Sequence, residues 1–155
     1  MAPPGPGHDA CGTGFIASIK GERTHQVVAL AVEAVISLTH RGAVNADPLT
    51  GDGTGITIEV PFELLQEDCE RLGFPVSDRD DLGVAMVFLP HDESQRPAAR
   101  TALEDEVRRL GIGVIGWREV PHDPGQLGPH ALAALPGIEQ LLVRRPTEQP
   151  VPNFE

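Results

Sequence analysis

The chain has 155 residues, room for one domain with a sizeable core and too few for two ordinary ones. Acidic residues number 23 against 12 Lys and Arg, so the formal net charge is -11. Such a chain repels phosphate backbones and anionic lipid, which argues against nucleic-acid and membrane partners. No apolar run reaches the roughly 18 residues of a membrane-spanning helix. Met1 to Ala10 is Pro/Gly-rich without an apolar centre, so it is no secretory signal, and a cytoplasmic location is expected. Aromatics are only 4% and Tyr is absent, which leaves Val, Leu, Ile and Ala to build the core.

In chain order, residues 1–10 are expected to be a flexible leader. A short strand fits Gly14 to Ile19, ended by Lys20-Gly21. A helix follows from about Thr24, a plausible N-cap, to His40. Val27 to Leu38 is apolar on most faces, which predicts burial between layers. Residues 41–53 are irregular. Ile56, Ile58 and Val60 alternate with Thr57 and Glu59, the pattern of a half-buried strand.

Pro61 suits a first helical position. Phe62, Leu65, Cys69 and Leu72 then share one helical face, with Glu63, Glu67 and Glu70 outside it. Residues 73–82 form a polar loop. Val84 to Leu89 is apolar at both parities and predicts a strand covered on both faces. Ala99, Leu103, Val107 and Leu110 define an amphipathic helix, with Glu104 to Arg108 and Asp105 to Arg109 paired one turn apart outside. Ile112 to Val120 is a further strand, Ala131 to Leu135 a short helix, and Ile138 to Val143 a fifth strand. The alternation predicts an α/β layered domain. The Pro-rich end after a fresh strand suggests the front part of something longer.

Several residue groups could carry chemistry. The run Thr50-Gly51-Asp52-Gly53-Thr54-Gly55 lacks the Lys and following helix of a phosphate loop, and reads as a tight turn into a strand. The six histidines show no metal-ligand spacing, so no metal site is expected. The two cysteines, Cys11 and Cys69, make neither a disulfide framework nor a zinc site of Cys-pair type. Cys69 lies on an apolar helix face and reads as a small buried hydrophobe. Cys11 precedes Gly12-Thr13-Gly14-Phe15, where glycines permit close approach of a substrate. These residues alone leave Cys11 open between a reactive thiol and an inert one. A free-standing redox role finds no resolving cysteine near it in sequence.

The string Asp9-Ala10-Cys11-Gly12-Thr13-Gly14-Phe15 resembles the processing site and first strand of the class II glutamine amidotransferase domain of glutamate synthase large subunits. Further family-like segments follow in the same order. They are Leu38-Thr39-His40-Arg41-Gly42-Ala43, then Ala46-Asp47-Pro48 with residues 50–56, then Trp117-Arg118-Glu119-Val120-Pro121, then Pro136-Gly137-Ile138-Glu139-Gln140. The resemblance runs from His8 to about Val143.

It implies an N-terminal nucleophile hydrolase, an αββα sandwich that is incomplete in this chain. Residues 1–10 would be a leader removed in maturation, and residues 11–155 the front part of the amidotransferase domain. Cys11 would be the nucleophile that forms a glutamyl thioester with L-glutamine and releases ammonia, with its freed α-amino group as base. Arg41 would lie near the nucleophile and favour its thiolate, although closing a helix C-terminus would also account for an arginine there. Gly12 and Asp52 would support the site. The flavin (FMN) and iron–sulfur cluster of the family would belong to later domains, and the partners would be the remaining synthase domains or subunits.

The family's oxyanion motif, an Asn-Gly pair, does not occur in these 155 residues. The chain by itself is therefore expected to be a weak or inactive glutaminase, marginally stable, with exposed apolar faces that bind hydrophobic dye. The alternative is a truncated, non-catalytic module that binds a partner subunit.

Overall fold

The computed structural model describes residues 12–38 and 53–146. The chain divides into two units, Met1–Glu59 with Gln126–Ala131, and Val60–Gly125 with Leu132–Glu155.

The first unit is organised around helix α1 (His25–Ser37). Thr24 holds the N-cap position with extended backbone, as its residue type suggested, but its side chain makes no capping bond. At the other end the Leu38 N–H is held by the carbonyls of Ala34 at 3.2 Å and Val35 at 3.1 Å. Ser37 Oγ closes the same turn by donating to the Glu33 carbonyl at 2.9 Å. Before the helix, Gly21 has a φ of +68°, and its N–H bonds the Ser18 carbonyl at 3.0 Å. That left-handed residue makes a turn where the segment Gly14 to Ile19 ends.

Two expectations for this unit are corrected. No residue of α1 is buried, and Ile36 is 65% exposed. The segments Gly14 to Ile19 and Ile56 to Val60 run without a strand ladder, and Phe15, Ile19, Ile56 and Ile58 are exposed. Alternation tells which side chains share a face, but a strand exists only where a partner supplies hydrogen bonds, and no described residue supplies them here.

The second unit holds helix α2 (Phe62–Arg71), strand β1 (Leu82–Leu89), helix α3 (Arg96–Arg109), strand β2 (Gly113–Glu119) and strand β3 (Gly137–Arg144). The short helix α4 (Pro129–Ala133) lies two residues ahead of its expected place. Pro61 is the N-cap of α2 and not its first residue. The sheet is antiparallel in the order β1-β3-β2, so β3 is inserted last in sequence between two strands already linked by α3. Helices and sheet are layered as an α/β fold.

Alternation along the strands gives the sheet two differently covered faces. Leu82, Val84 and Leu142 turn toward α2, where they meet Phe62, Leu65 and Cys69 in the core cluster. Trp117 and Glu139 turn toward α3, which reaches them through Glu104 and Arg100. β2 pairs with β3 as Val114↔Val143 and then Gly116↔Leu142, so Ile115 is an extra, bulged residue. The bulge delivers Ile115 into the α2 core.

The strand buried on both sides is β3, whose consecutive Leu141 and Leu142 are both fully buried. The expectation of two covered faces had fallen on Val84 to Leu89. In the structure Met86 and Phe88 are exposed, Phe88 at 68%. β1 flanks the sheet, and the described part of α2 reaches only its Leu82 and Val84 end.

Candidate active site

Of the four residues expected at the site, Cys11, Arg41 and Asp52 lie outside the described residues, as do His40 and Thr50-Gly51. Gly12 is described and exposed. A Cβ placed on it would meet Leu38 Cδ1 at 3.4 Å and Cδ2 at 3.7 Å. The residue after Cys11 thus lies against the residue that follows α1. In sequence these two positions directly adjoin Cys11 on one side and Thr39-His40-Arg41 on the other. The structure brings together the borders of two family-like segments that are far apart in the chain.

A second link orders the same unit. Arg23, just before α1, pairs with Glu59 at 2.6 Å, on the segment that leaves the glycine-rich run. Both side chains are more than half exposed, so this pair contributes little stability and serves as a tether.

The remaining family-like segments fall on neighbouring strands of the second unit. Arg118 Nε donates to Asp68 Oδ2 of α2 at 2.6 Å, and its Nη1 donates to Gln140 Oε1 of β3 at 2.9 Å. Arg71 also pairs with Asp68. On the opposite face, the nearly buried Glu139 pairs with Arg100, whose guanidinium lies 5.6 Å from the Trp117 ring centroid. Among the described residues, Arg100 Nε and Glu139 Oε2 are buried without a hydrogen-bond partner. Both atoms belong to the same ion pair, which is joined through Arg100 Nη2 and Glu139 Oε1. Glu139 faces Glu119 directly across the ladder, a like-charge pair that Arg100 offsets. Trp117 and Arg118, with Glu139 and Gln140, therefore serve as clamps between sheet and helices.

Trp117 Nε1–H donates to Glu104 Oε1 at 2.7 Å. That bond, with Arg108 beside it, holds the Glu104 carboxyl below the usual carboxylate range despite an opposing contribution from burial. Of the two predicted outer pairs of α3, Glu104 and Arg108 meet at 2.6 Å. Arg109 instead pairs with Glu106, and Asp105 approaches Arg108 at 3.6 Å.

Cys69 is fully buried in α2, as its place on the apolar face predicted. Burial and the adjacent Asp68 carboxylate push its thiol up, so it has little thiolate character. Asp68 is the buried acid that the apolar pattern did not reveal. The signal for it was an arginine, Arg118, in a half-buried strand that needed an acidic partner. Among the described residues no group of three or more His, Cys, Asp or Glu side chains could hold a metal ion. Two cysteines in the whole chain do not suffice to ligate an iron–sulfur cluster.

The chain belongs to the class-II glutamine amidotransferases, a family that matches residues 11–155. Within that family it is similar to the amidotransferase region of glutamate synthases. It is 44% identical over 138 residues to ferredoxin-dependent glutamate synthase 2 of Synechocystis sp., covering 89% of this chain and 9% of the relative. It is 41% identical over 137 residues to the NADPH glutamate synthase large chain of Azospirillum brasilense, covering 88% and 9%. The Bacillus subtilis NADPH large chain is 34% identical over 136 residues, again covering 88% and 9%. The chain thus spans about a tenth of the length of these curated relatives. Among the described residues, no helix is long and apolar enough to cross a membrane.

Proposed function

We propose that this chain carries the nucleophile of a glutaminase that supplies ammonia for glutamate synthesis, within an N-terminal nucleophile hydrolase of αββα type. One observation carries the reading. The family match begins at Cys11, and the next residue, Gly12, lies against Leu38 at the entrance to the Thr39-His40-Arg41 segment.

Removal of residues 1–10 would free the α-amino group of Cys11. An α-amine titrates near ~8, so a useful fraction is unprotonated at neutral pH, whereas a lysine near ~10 is almost fully charged. The amine takes the thiol proton, and the sulfur attacks the side-chain carbonyl carbon of L-glutamine. The C–N bond breaks, the proton passes to the leaving nitrogen, and ammonia departs from a glutamyl thioester. Water then attacks the thioester carbon and gives its proton to the amine. The C–S bond breaks, releasing glutamate and restoring the thiol. Arg41 favours the thiolate by its charge. Asp52 orders the glycine-rich loop without reacting.

Flavin and iron–sulfur chemistry, electron delivery and the use of ammonia fall to other parts of such a synthase. Each oxyanion donor is worth about 10²–10³ in rate, and no Asn-Gly pair lies in these residues. The 155-residue chain alone is therefore a weak glutaminase, and a cytoplasmic setting suits the free thiol of Cys69.

The test is Cys11→Ser in the intact protein, with glutamine-dependent and ammonia-dependent glutamate formation measured side by side. Loss of the first with retention of the second supports the proposal. Retained glutamine turnover rejects Cys11 as nucleophile, and a wild-type protein without glutaminase activity favours the non-catalytic module.

A further inference from the structure

The two outer strands of the sheet are built differently at their free edges. β2 carries features that guard an edge: a bulge at Ile115, glycines at 113 and 116, and the charges of Arg118 and Glu119. β1 has no such guard. Its eight residues, Leu82–Leu89, include no charged side chain and no proline, and all eight pair with β3 in unbroken register. Among the described residues no strand pairs with its other edge. Beside that edge Met86 is 51% exposed and Phe88 68% exposed, on the face that α2 covers only as far as Val84. A long row of backbone donors and acceptors with apolar, uncharged side chains is a template for one more strand.

We propose that β1 pairs with β1 of a second copy of this chain, antiparallel about a two-fold axis normal to the sheet, so that two three-stranded sheets join into one of six. The strand is complementary to itself. It carries no charge that would select a foreign partner or repel its own copy. Residues opposed in an antiparallel pair share a face, and a two-fold axis normal to the sheet keeps the α2 side of one copy level with the α2 side of the other. Centred on Met86, the pairing sets Met86 opposite Met86 of the second copy. Phe88 of each copy then lies beside Val84 of the other, a favoured aromatic and β-branched pair, and Ala85 lies beside Val87. The side chains that α2 leaves uncovered on β1 thus gain apolar neighbours. One strand edge is a small interface, below the ~1,200 Å² of a standard stable complex, so dimer and monomer exchange.

The experiment is sedimentation velocity on the full 155-residue chain at concentrations from about 1 to about 200 µM, the range in which a small interface assembles. A reversible shift from monomer to dimer, with no larger species, is expected. Met86→Lys and Met86→Glu each set like charges opposite one another, and each should raise the dimer dissociation constant at least about tenfold. Their equimolar mixture sets Lys against Glu and should recover the dimer. A surface charge that merely improves solubility would give no such recovery. If either charged variant does not fold, Met86→Cys in a Cys11→Ser background carries the test. On mild oxidation it should form a linked dimer at least about tenfold faster than Leu64→Cys, an exposed position on α2. A wild-type chain that stays monomeric throughout overturns the proposal and leaves the β1 edge to a strand from the remaining synthase domains. Dimers that persist in Met86→Lys, a mixture that stays monomeric, or open-ended aggregates in place of dimers overturn it too.

Discussion

Arg118 of β2 and Asp68 of α2 are 50 residues apart in sequence, and their side chains meet at 2.6 Å with both largely shielded from water. This bond sets the helix on the sheet beside the apolar core of Leu65, Cys69 and Leu142. Gln140 takes a second N–H of the same guanidinium, so the arginine joins α2, β2 and β3.

Removing one member of a shielded ion pair leaves the other as an uncompensated charge. Asp68→Ala is expected to destabilise the second unit by about 3 kcal/mol, read from the midpoint of urea unfolding. Asp68→Asn keeps an acceptor for Arg118 and should lose less. A loss below about 1 kcal/mol in Asp68→Ala would place this pair with ordinary surface ion pairs.

The bond from Trp117 to Glu104 predicts an acid limb in stability. The folded carboxyl is held below its ordinary value, chiefly by the Trp117 N–H. A depressed folded pKa adds stability above the unfolded value, about pH 4.3, and that stability is lost as pH falls through the lower folded value. Trp117→Phe removes the N–H and keeps an aromatic ring beside Arg100. It should cost about 1–2 kcal/mol at pH 7, and the gap to wild type should narrow as the pH drops below about 4. A gap that stays constant from pH 7 to pH 3 would show that lost packing, not the hydrogen bond, is responsible.

Cys69 should behave as core and not as chemistry. Its thiol is fully buried and pushed up by that burial and by Asp68. In the folded protein at pH 7 it should resist an aromatic disulfide reagent, and react fully once urea is added. Cys69→Ala should leave glutamine turnover intact and lower stability by about 1–2 kcal/mol. A turnover loss as large as that of Cys11→Ser would mean that the wrong thiol has been assigned.

Much of the second unit was legible in the residues. Phe62, Leu65 and Cys69 recur at helical spacing and are buried as that spacing predicts. The strand and helix centres at 82–89, 96–109, 113–119 and 137–144 were all visible as apolar patterns bounded by polar turns. The site was legible only through resemblance. Cys11, Arg41 and Asp52 belong to short strings whose local composition also fits a turn, a helix end or an inert thiol. Asp68 was not legible from the helical pattern of α2, because a buried acid beside an apolar face breaks the pattern that identifies the face, and only Arg118 signalled the need for an acidic partner.

The sequence by itself determined the α/β alternation, the faces of α2 and α3, and the membership of residues 11–155 in the class-II amidotransferases. Those properties depend on residues near one another in the chain or on strings of matched residues. Tertiary structure decided that β3 enters between β1 and β2 and is the strand covered on both faces. It also decided that Ile115 bulges into the core, that Asp68 neutralises Arg118, and that Gly12 lies against Leu38. Each of these joins residues distant in sequence, and local hydrophobic period carries no information about which distant partner will close the ladder, neutralise the charge or fill the gap.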